Sequence, residues 1–521
     1  MITMKRLLRL VGIVTLLVVA LVVSGLLLAD RLTPRATGEP SQAMPVQADQ
    51  TEIDRELAPM LAEHPGETGV LMLSDGLDGF AARAMAARKA GRSLDLQYYI
   101  WHDDLTGHLL AREVYFAAER GVRVRMLLDD MNVEGLDPKL MTLDAHPNIE
   151  LRLYNPFRNR AGIARLFEMV QRIFSVNHRM HNKAWIADGR VAVVGGRNIG
   201  EEYFSADPDV NFRDLDLLLF GPVVGEASTI FDDYWNSAAA VPIAALNAVS
   251  IDDLRAIIAR YSDEAMAAVA QPYLARVERS RTVQDYHARG LTPRWTPRVA
   301  IVSDPPMKGR DDDGSDWLIH RLTAMLATAS SEALLISPYF VPGEAGSAAL
   351  RQLVARGAAV AVATNSLAAN DVPAVHSGYA RYRERLLRAG VRLHELKARV
   401  QVDSAGVFGS SGASLHTKAF VVDGARGFVG SFNLDPRSVD LNTEMGVLFD
   451  DPVLAAALRE EFAKLARPES SYEVELDAQG GLRWLDRAAE PPLRLEQEPD
   501  TTWTRRMVVR LIGLLPIESQ L

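Results

Sequence analysis

The chain contains no cysteine, which excludes disulfides, thiolate metal sites and a lipidated N-terminal cysteine. It also lacks a surplus of positive charge. Lys and Arg total 57 against 67 Asp and Glu, a formal net charge of −10, so there is no overall basic footprint for nucleic acid. Aromatics are only 7% of the residues, and no basic run is interleaved with them, which disfavours a nuclease. What remains is an ordinary globular composition, 48% apolar and 24% charged, over 521 residues. That length accommodates two domains, each with a sizeable core.

Formal charge is also missing from Leu10 to Ala29. As a helix this stretch spans roughly 30 Å, about one hydrocarbon core. Lys5, Arg6 and Arg9 precede it, and no convincing small-x-small cleavage site follows. The expectation for 1–29 is therefore a transmembrane anchor or uncleaved signal, with the N-terminus cytoplasmic and the rest of the chain across the membrane. Residues 30–65 begin polar and rich in Pro, Gly and Ala, and read as a linker.

The stretch that organises the chain is a repeat. His181-x-Lys183 is followed by Asp188 and Asn198, and His416-x-Lys418 by Asp423 and Asn433, with an offset of 235 residues throughout. Alternate side chains of a strand share a face, so each His and Lys project together. The apolar runs after them read as buried strands, Asp-Gly as a turn, and the next apolar run as a returning strand. Gly195, Gly196 and Gly430 allow backbone to pass close to the site.

A duplicated His-x-Lys points to chemistry on phosphate. A phosphodiester repels nucleophiles, so a positive, pre-arranged cradle helps most. Lys183 and Lys418 supply charge, and Asn198 and Asn433 hydrogen bonds. One neutral imidazole attacks phosphorus while a second, protonated, gives its proton to the leaving oxygen. Neither copy holds two such histidines, so His181 must face His416 across the halves. Each also needs an orienting carboxylate. Aligning 443–452 with 213–222 pairs Glu444 with Asp214, and Asp216 competes with Asp214. Asp188 and Asp423 serve either the site or the Asp-Gly turn.

The paired pattern resembles the phospholipase D superfamily. More narrowly, SLDLQYYIWHDDLTG at 93–107, SDPPMKG at 303–309, NDVPAVHSGY at 370–379 and the ending LLPIESQL resemble bacterial cardiolipin synthases. The resemblance covers about residue 66 to the C-terminus. It implies a phosphohistidine intermediate at an active site shared between the halves, with no metal or other cofactor. The implied catalytic residues are His181, Lys183, Asp188, His416, Lys418 and Asp423, with Asn198, Asn433, Asp214 and Glu444 binding phosphate or orienting. The implied activity is a phosphatidyltransferase making cardiolipin from phosphatidylglycerol and a second phospholipid, at a bacterial inner membrane with the lobes on its outer side. A phospholipase D releasing phosphatidic acid, a nuclease of the same superfamily, and a non-catalytic scaffold are the alternatives. Expected partners are phospholipid substrates and the bilayer, not nucleic acid.

The fold expected is α/β, with duplicated phospholipase D-like lobes, each a mostly parallel sheet flanked by helices and related by a pseudo-twofold. Residues 66–290 form the first lobe, with its motif at about 176–203 and a helical connection from 223. Residues 291–521 form the second, with its motif at about 411–438 and a basic amphipathic tail. The tail, Arg505 to Pro516, reads either as a surface helix on anionic lipid or as a buried terminal helix. The loop 303–315 reads as a solvated turn or a headgroup contact. His376 is a further pocket candidate, and Tyr98, Tyr99 and Trp101 read first as core.

Overall fold

The structure, a computed structural model, describes residues 38–133, 135–160, 162–172, 177–246, 263–310, 313–398 and 412–521, with four isolated positions before 38. Apart from those four positions, the expected anchor at 1–29 lies outside the described residues. Among those described, no helix is long and apolar enough to cross a membrane.

Two sheets carry the fold. The first runs, edge to edge, Arg294–Thr296, Thr68–Leu73, Asp216–Phe220, Val191–Gly195, Ala184–Ala187, Ser93–Tyr98, Arg123–Asp129, Ile149–Tyr154 and Ala240–Pro242. The second runs Val299–Ser303, Met445–Asp450, Arg426–Gly430, Lys418–Val422, Glu332–Ile336, Ala359–Asn365, Arg392–Leu396, Ser471–Leu476, Leu482–Asp486 and Leu493–Leu495. Eight consecutive strands correspond one to one, with the same connections, so the duplication extends well beyond the motifs.

The expectation of mostly parallel sheets is corrected. Only the pairs 93–98 with 123–129 and 123–129 with 149–154 are parallel in the first sheet, and their counterparts in the second. Strand–helix–strand alternation holds only in those segments. Each motif instead forms a hairpin that joins the sheet antiparallel on both sides. Its turn is Asp188-Gly189 or Asp423-Gly424, with φ of 54°, 65°, 52° and 59°. Two successive positive φ values make the tight turn whose twist matches a hairpin.

Period-2 alternation divides these strands between two cores. Trp185 and Ala187 face the outer helices Gly76–Lys89 and Leu105–Glu119, and Ala184 and Ile186 face inward. Phe420 and Val422 likewise face outward, and Ala419 and Val421 inward. The inner core holds side chains of both sheets and of the helices Val223–Trp235 and Pro452–Leu465, so the lobes share a hydrophobic interior. Shared burial of that kind fixes their mutual geometry.

Two boundaries shift. The linker 30–65 contains the helix Glu52–Glu63, opened by a capping box between Thr51 and Asp54. Ile53 and Leu57, one turn apart, are buried in the first lobe, and Arg125 and Arg152 bind the carbonyls of Ser41 and Glu39. The segment is docked rather than a free tether. The second lobe also begins later than 291, because Arg294–Thr296 pairs with Thr68–Val70 of the first sheet. In the connection, the helices Asp263–Glu278 and Arg281–Arg289 pack on the outer helix Gly76–Lys89, and Tyr273 and Arg276 donate to the Phe204 and Ser205 carbonyls just after the first motif.

Candidate active site

Each motif histidine is held by the opposite half. The His181 amide donates to the Thr443 carbonyl, and its Nδ1 lies 2.9 Å from Glu444 Oε2. The His416 amide donates to the Arg213 carbonyl, and its Nδ1 lies 2.6 Å from Asp214 Oδ2. Short parallel pairings build both contacts: Met180 with Thr443, and the strand Gly412–Leu415 with Val210–Arg213. The competition between Asp214 and Asp216 resolves geometrically. Asp216 is fully buried against Arg83 at 2.9 Å and Arg197 at 3.4 Å, away from the imidazoles.

A carboxylate on Nδ1 holds the proton there and leaves the Nε2 lone pair free. Burial pushes both rings down against the pull of their carboxylates, His181 to about 4 and His416 to about 3. Burial thus favours the neutral form of both imidazoles, and the carboxylate on each Nδ1 favours the charged one. Burial would raise Asp214 and Glu444, but the facing rings and nearby lysines hold both below the usual carboxylate range. Burial also pushes Lys183 to about 7 and Lys418 to about 8, with Glu444 and Asp214 opposing. Lys183 acts on His416 and Lys418 on His181, so the charges of both motifs fall on one centre. Each ammonium donates to its own histidine's carbonyl, Lys183 at 2.7 Å. Tyr99 stands edge-on to His181 at 4.9 Å and Tyr203 edge-on to His416 at 5.1 Å.

The other expected residues divide. Asn198 accepts from the Ile100 amide at 3.2 Å and donates to Tyr203 at 2.9 Å, so it orients a ring. Asn433 is buried and its Oδ1 has no protein partner. Asp188 and Asp423 are corrected: neither reaches the imidazoles. Asp188 accepts the amides of Gly91, Arg92 and Ser93, and Asp423 those of Ser330, Ser331 and Glu332. Each sits beyond the far end of the Lys-bearing strand and ties its turn to the neighbouring strand. The glycines behave as expected at the close approaches: a Cβ at Gly196 would lie 2.2 Å from Asp214 Oδ1, and one at Gly430 2.4 Å from the Met445 carbonyl. His376 is buried beside Glu498, 3.1 Å away, and Tyr379, outside the paired motifs.

Several side chains escaped motif reading. Asp129 accepts the Met180 amide and Asn365 the Leu415 amide, each clamping the residue before a motif histidine. They differ in side chain and stand 236 apart, not 235, so no motif search pairs them. Ser431 and Ser438 hydroxyls donate to Glu444. Two residues of the SDPPMKG loop turn inward, while Gly309 is exposed and the rest are part-exposed. Asp304 Oδ2 accepts the Glu444 amide at 2.9 Å, and fully buried Lys308 bridges Asp304 to the Ser438 and Asn442 carbonyls. Among the described residues, His102, Asp104 and Glu202 could gather round a metal. Asp104, however, already caps the helix Leu105–Glu119 and accepts the Glu201 amide.

Two lobes that each lend the other's histidine a carboxylate define a single composite site of the phospholipase D type. The family profile "Cardiolipin synthase, PLD-like domain" matches residues 85–235 and 322–466, covering both motifs. The chain belongs to that family. It is 41% identical to cardiolipin synthase C of Escherichia coli (strain K12) over 465 residues, 88% of this chain and 98% of that one. It is 27% identical to a cardiolipin synthase of Staphylococcus aureus (strain Mu50) over 395 residues, 75% of this chain and 65% of that one. The crystal structure of phosphatidylserine synthase from Haemophilus influenzae Rd KW20 aligns with 90% of this chain and 100% of its own, at TM-score 0.56 and 13% identity, which establishes a shared fold.

Proposed function

We propose that the protein is a membrane-held phosphatidyltransferase that makes cardiolipin from phosphatidylglycerol and a second phospholipid. The observation that carries this reading is the crossed pairing of His181 with Glu444 and His416 with Asp214, on a chain 41% identical to a cardiolipin synthase. His181 Nε2 attacks the phosphorus of one phospholipid, and the bond to the headgroup oxygen breaks. His416 supplies that oxygen's proton, so the headgroup leaves as the alcohol and a phosphohistidine remains. Burial favours neutral rings in the free protein, and the anionic phosphate drawn between Lys183 and Lys418 favours the charged form of His416. His416 then takes the hydroxyl proton of phosphatidylglycerol, whose oxygen attacks the phosphohistidine and restores His181.

Lys183, Lys418 and Asn433 surround the transferred phosphate, and Asn198 acts through Tyr203. The carboxylates Glu444 and Asp214 fix ring and tautomer. The apolar segment at 10–29 suits a substrate confined to the bilayer, and Lys5, Arg6 and Arg9 before it favour lobes on the outer face of the inner membrane, with Arg31 and Arg35 after it pulling the other way. The deciding experiment supplies labelled phosphatidylglycerol, with and without phosphatidylethanolamine, and resolves the lipid products by mass. Cardiolipin is expected, with free ethanolamine if the second lipid is a donor. Phosphatidic acid alone would make the enzyme a hydrolase.

A further inference from the structure

The C-terminal helix Trp503–Ile512 is held on one side and bare on the other. Val509 is buried, and Arg505 donates to the Asn370 carbonyl at 2.6 Å. The other side carries Trp503, Val508 and Leu511, 65, 47 and 57% exposed, and the turn beyond adds Leu514 at 81% and Leu515 at 51%. Leu514 is the most exposed large apolar side chain among the described residues. Within the helix, Val508 and Leu511 are three residues apart and share a face, which the exposed Leu514 and Leu515 of the next turn extend.

Charge singles out the same segment. From Thr501 to Ile517 there is no acidic residue, and Arg505, Arg506 and Arg510 fall inside it, in a chain of net charge −10. An anionic surface repels the protein at large and attracts this stretch. A second copy of the chain would set these arginines against their own kind. An apolar row flanked by arginines suits the boundary between headgroups and acyl chains.

The segment is also tied to residues that lead to both motif histidines. Asn370 leads into Asp371, which accepts from Tyr339 at 2.8 Å and whose charge reaches Lys418 and Tyr203. At the other end the Leu521 carbonyl accepts the Arg437 amide at 2.6 Å, and Gln520 accepts from Asn177, four residues before His181.

We propose that this face docks on an anionic phospholipid bilayer and sets the mouth of the composite site against it. The proposal rests on the lipid-substrate reading above for its purpose, while its geometry stands apart. The absence of cysteine allows a direct test on the full chain. A fluorophore on Leu514→Cys, in vesicles of phosphatidylglycerol and phosphatidylethanolamine, is expected to be reached by a lipid-phase quencher. The same probe on Val453→Cys, exposed on the helix Pro452–Leu465, is expected to be reached only from water. Equal behaviour of the two probes overturns the proposal. In parallel, Leu511→Asp with Leu514→Asp is expected to lower turnover of bilayer phosphatidylglycerol about tenfold or more while sparing detergent-dispersed substrate. Equal loss on both presentations overturns it as well. A wild-type protein inactive on both presentations would instead refute the phosphatidyltransferase reading and leave the quenching result to decide docking.

Discussion

The two motif hairpins share a backbone plan and differ in what supports it. Glu444, which holds His181, receives two serine hydroxyls, and its amide is fastened to Asp304 over a buried Lys308. Asp214, which holds His416, receives the Leu215 amide at 2.8 Å, with Gly196 standing where the second half has Ser431. His416 is instead flanked by rings, stacked on Phe212 at 5.3 Å and edge-on to Tyr203. Duplication thus preserved the crossing of the halves and let the surroundings of each ring diverge.

The sharpest way to break the comparison is to remove each ring. His181→Ala and His416→Ala should each lower cardiolipin formation at least about a thousandfold with folding intact. An activated phosphodiester, whose leaving group needs no proton, should restore leaving-group release to His416→Ala but not to His181→Ala. Restoration in both, read by a stopped-flow burst, would mean that the rings are not specialised. Next come the carboxylates: Glu444→Gln and Asp214→Asn should each cost about a hundredfold or more in kcat through loss of the correct tautomer. The alkaline limb of kcat/KM sharpens the picture further. With Lys183 near 7 and Lys418 near 8, the cradle is charged below those values and loses charge as pH rises through them. Activity should therefore fall across that window, and Lys183→Arg, which does not titrate there, should flatten its first part.

The smallest effects on chemistry should come from the two turn aspartates, and here the halves differ in stability. Asp188→Ala strands three amides behind a side chain that is fully buried, and should cost about 3 kcal/mol in denaturant unfolding. Asp423 is partly exposed and water can replace it, so Asp423→Ala should cost about 1 kcal/mol. A loss of turnover beyond that explained by unfolding would return these residues to the catalytic set.

Much of the site was readable because it is local and repeated. His-x-Lys, the Asp-Gly turn and the returning strand lie within a few residues, where strand periodicity and turn chemistry act directly. The carboxylate partners were reachable only by aligning the two halves, and Asp216 stayed level with Asp214 until Arg83 and Arg197 claimed it. The parallel-sheet expectation failed because alternating strands and helices say nothing about a hairpin inserted beside them. In the loop 303–315, Pro, Gly and an acidic run gave no sign that Asp304 and Lys308 turn inward. Only packing reveals that Lys308 is buried with three oxygen partners.

Sequence by itself determined that there are two equivalent modules, that each brings one imidazole and one ammonium, and that neither is sufficient. Those are statements about covalent order and short-range geometry, which the chain carries everywhere along its length. Tertiary structure alone decided who holds whom: the exchange of carboxylates between halves, the retreat of Asp188 and Asp423 to the turns, and the burial that pushes both rings toward their neutral form. These depend on burial and on approach between residues more than 200 positions apart, and such contacts come into being only when the two sheets close on their common core.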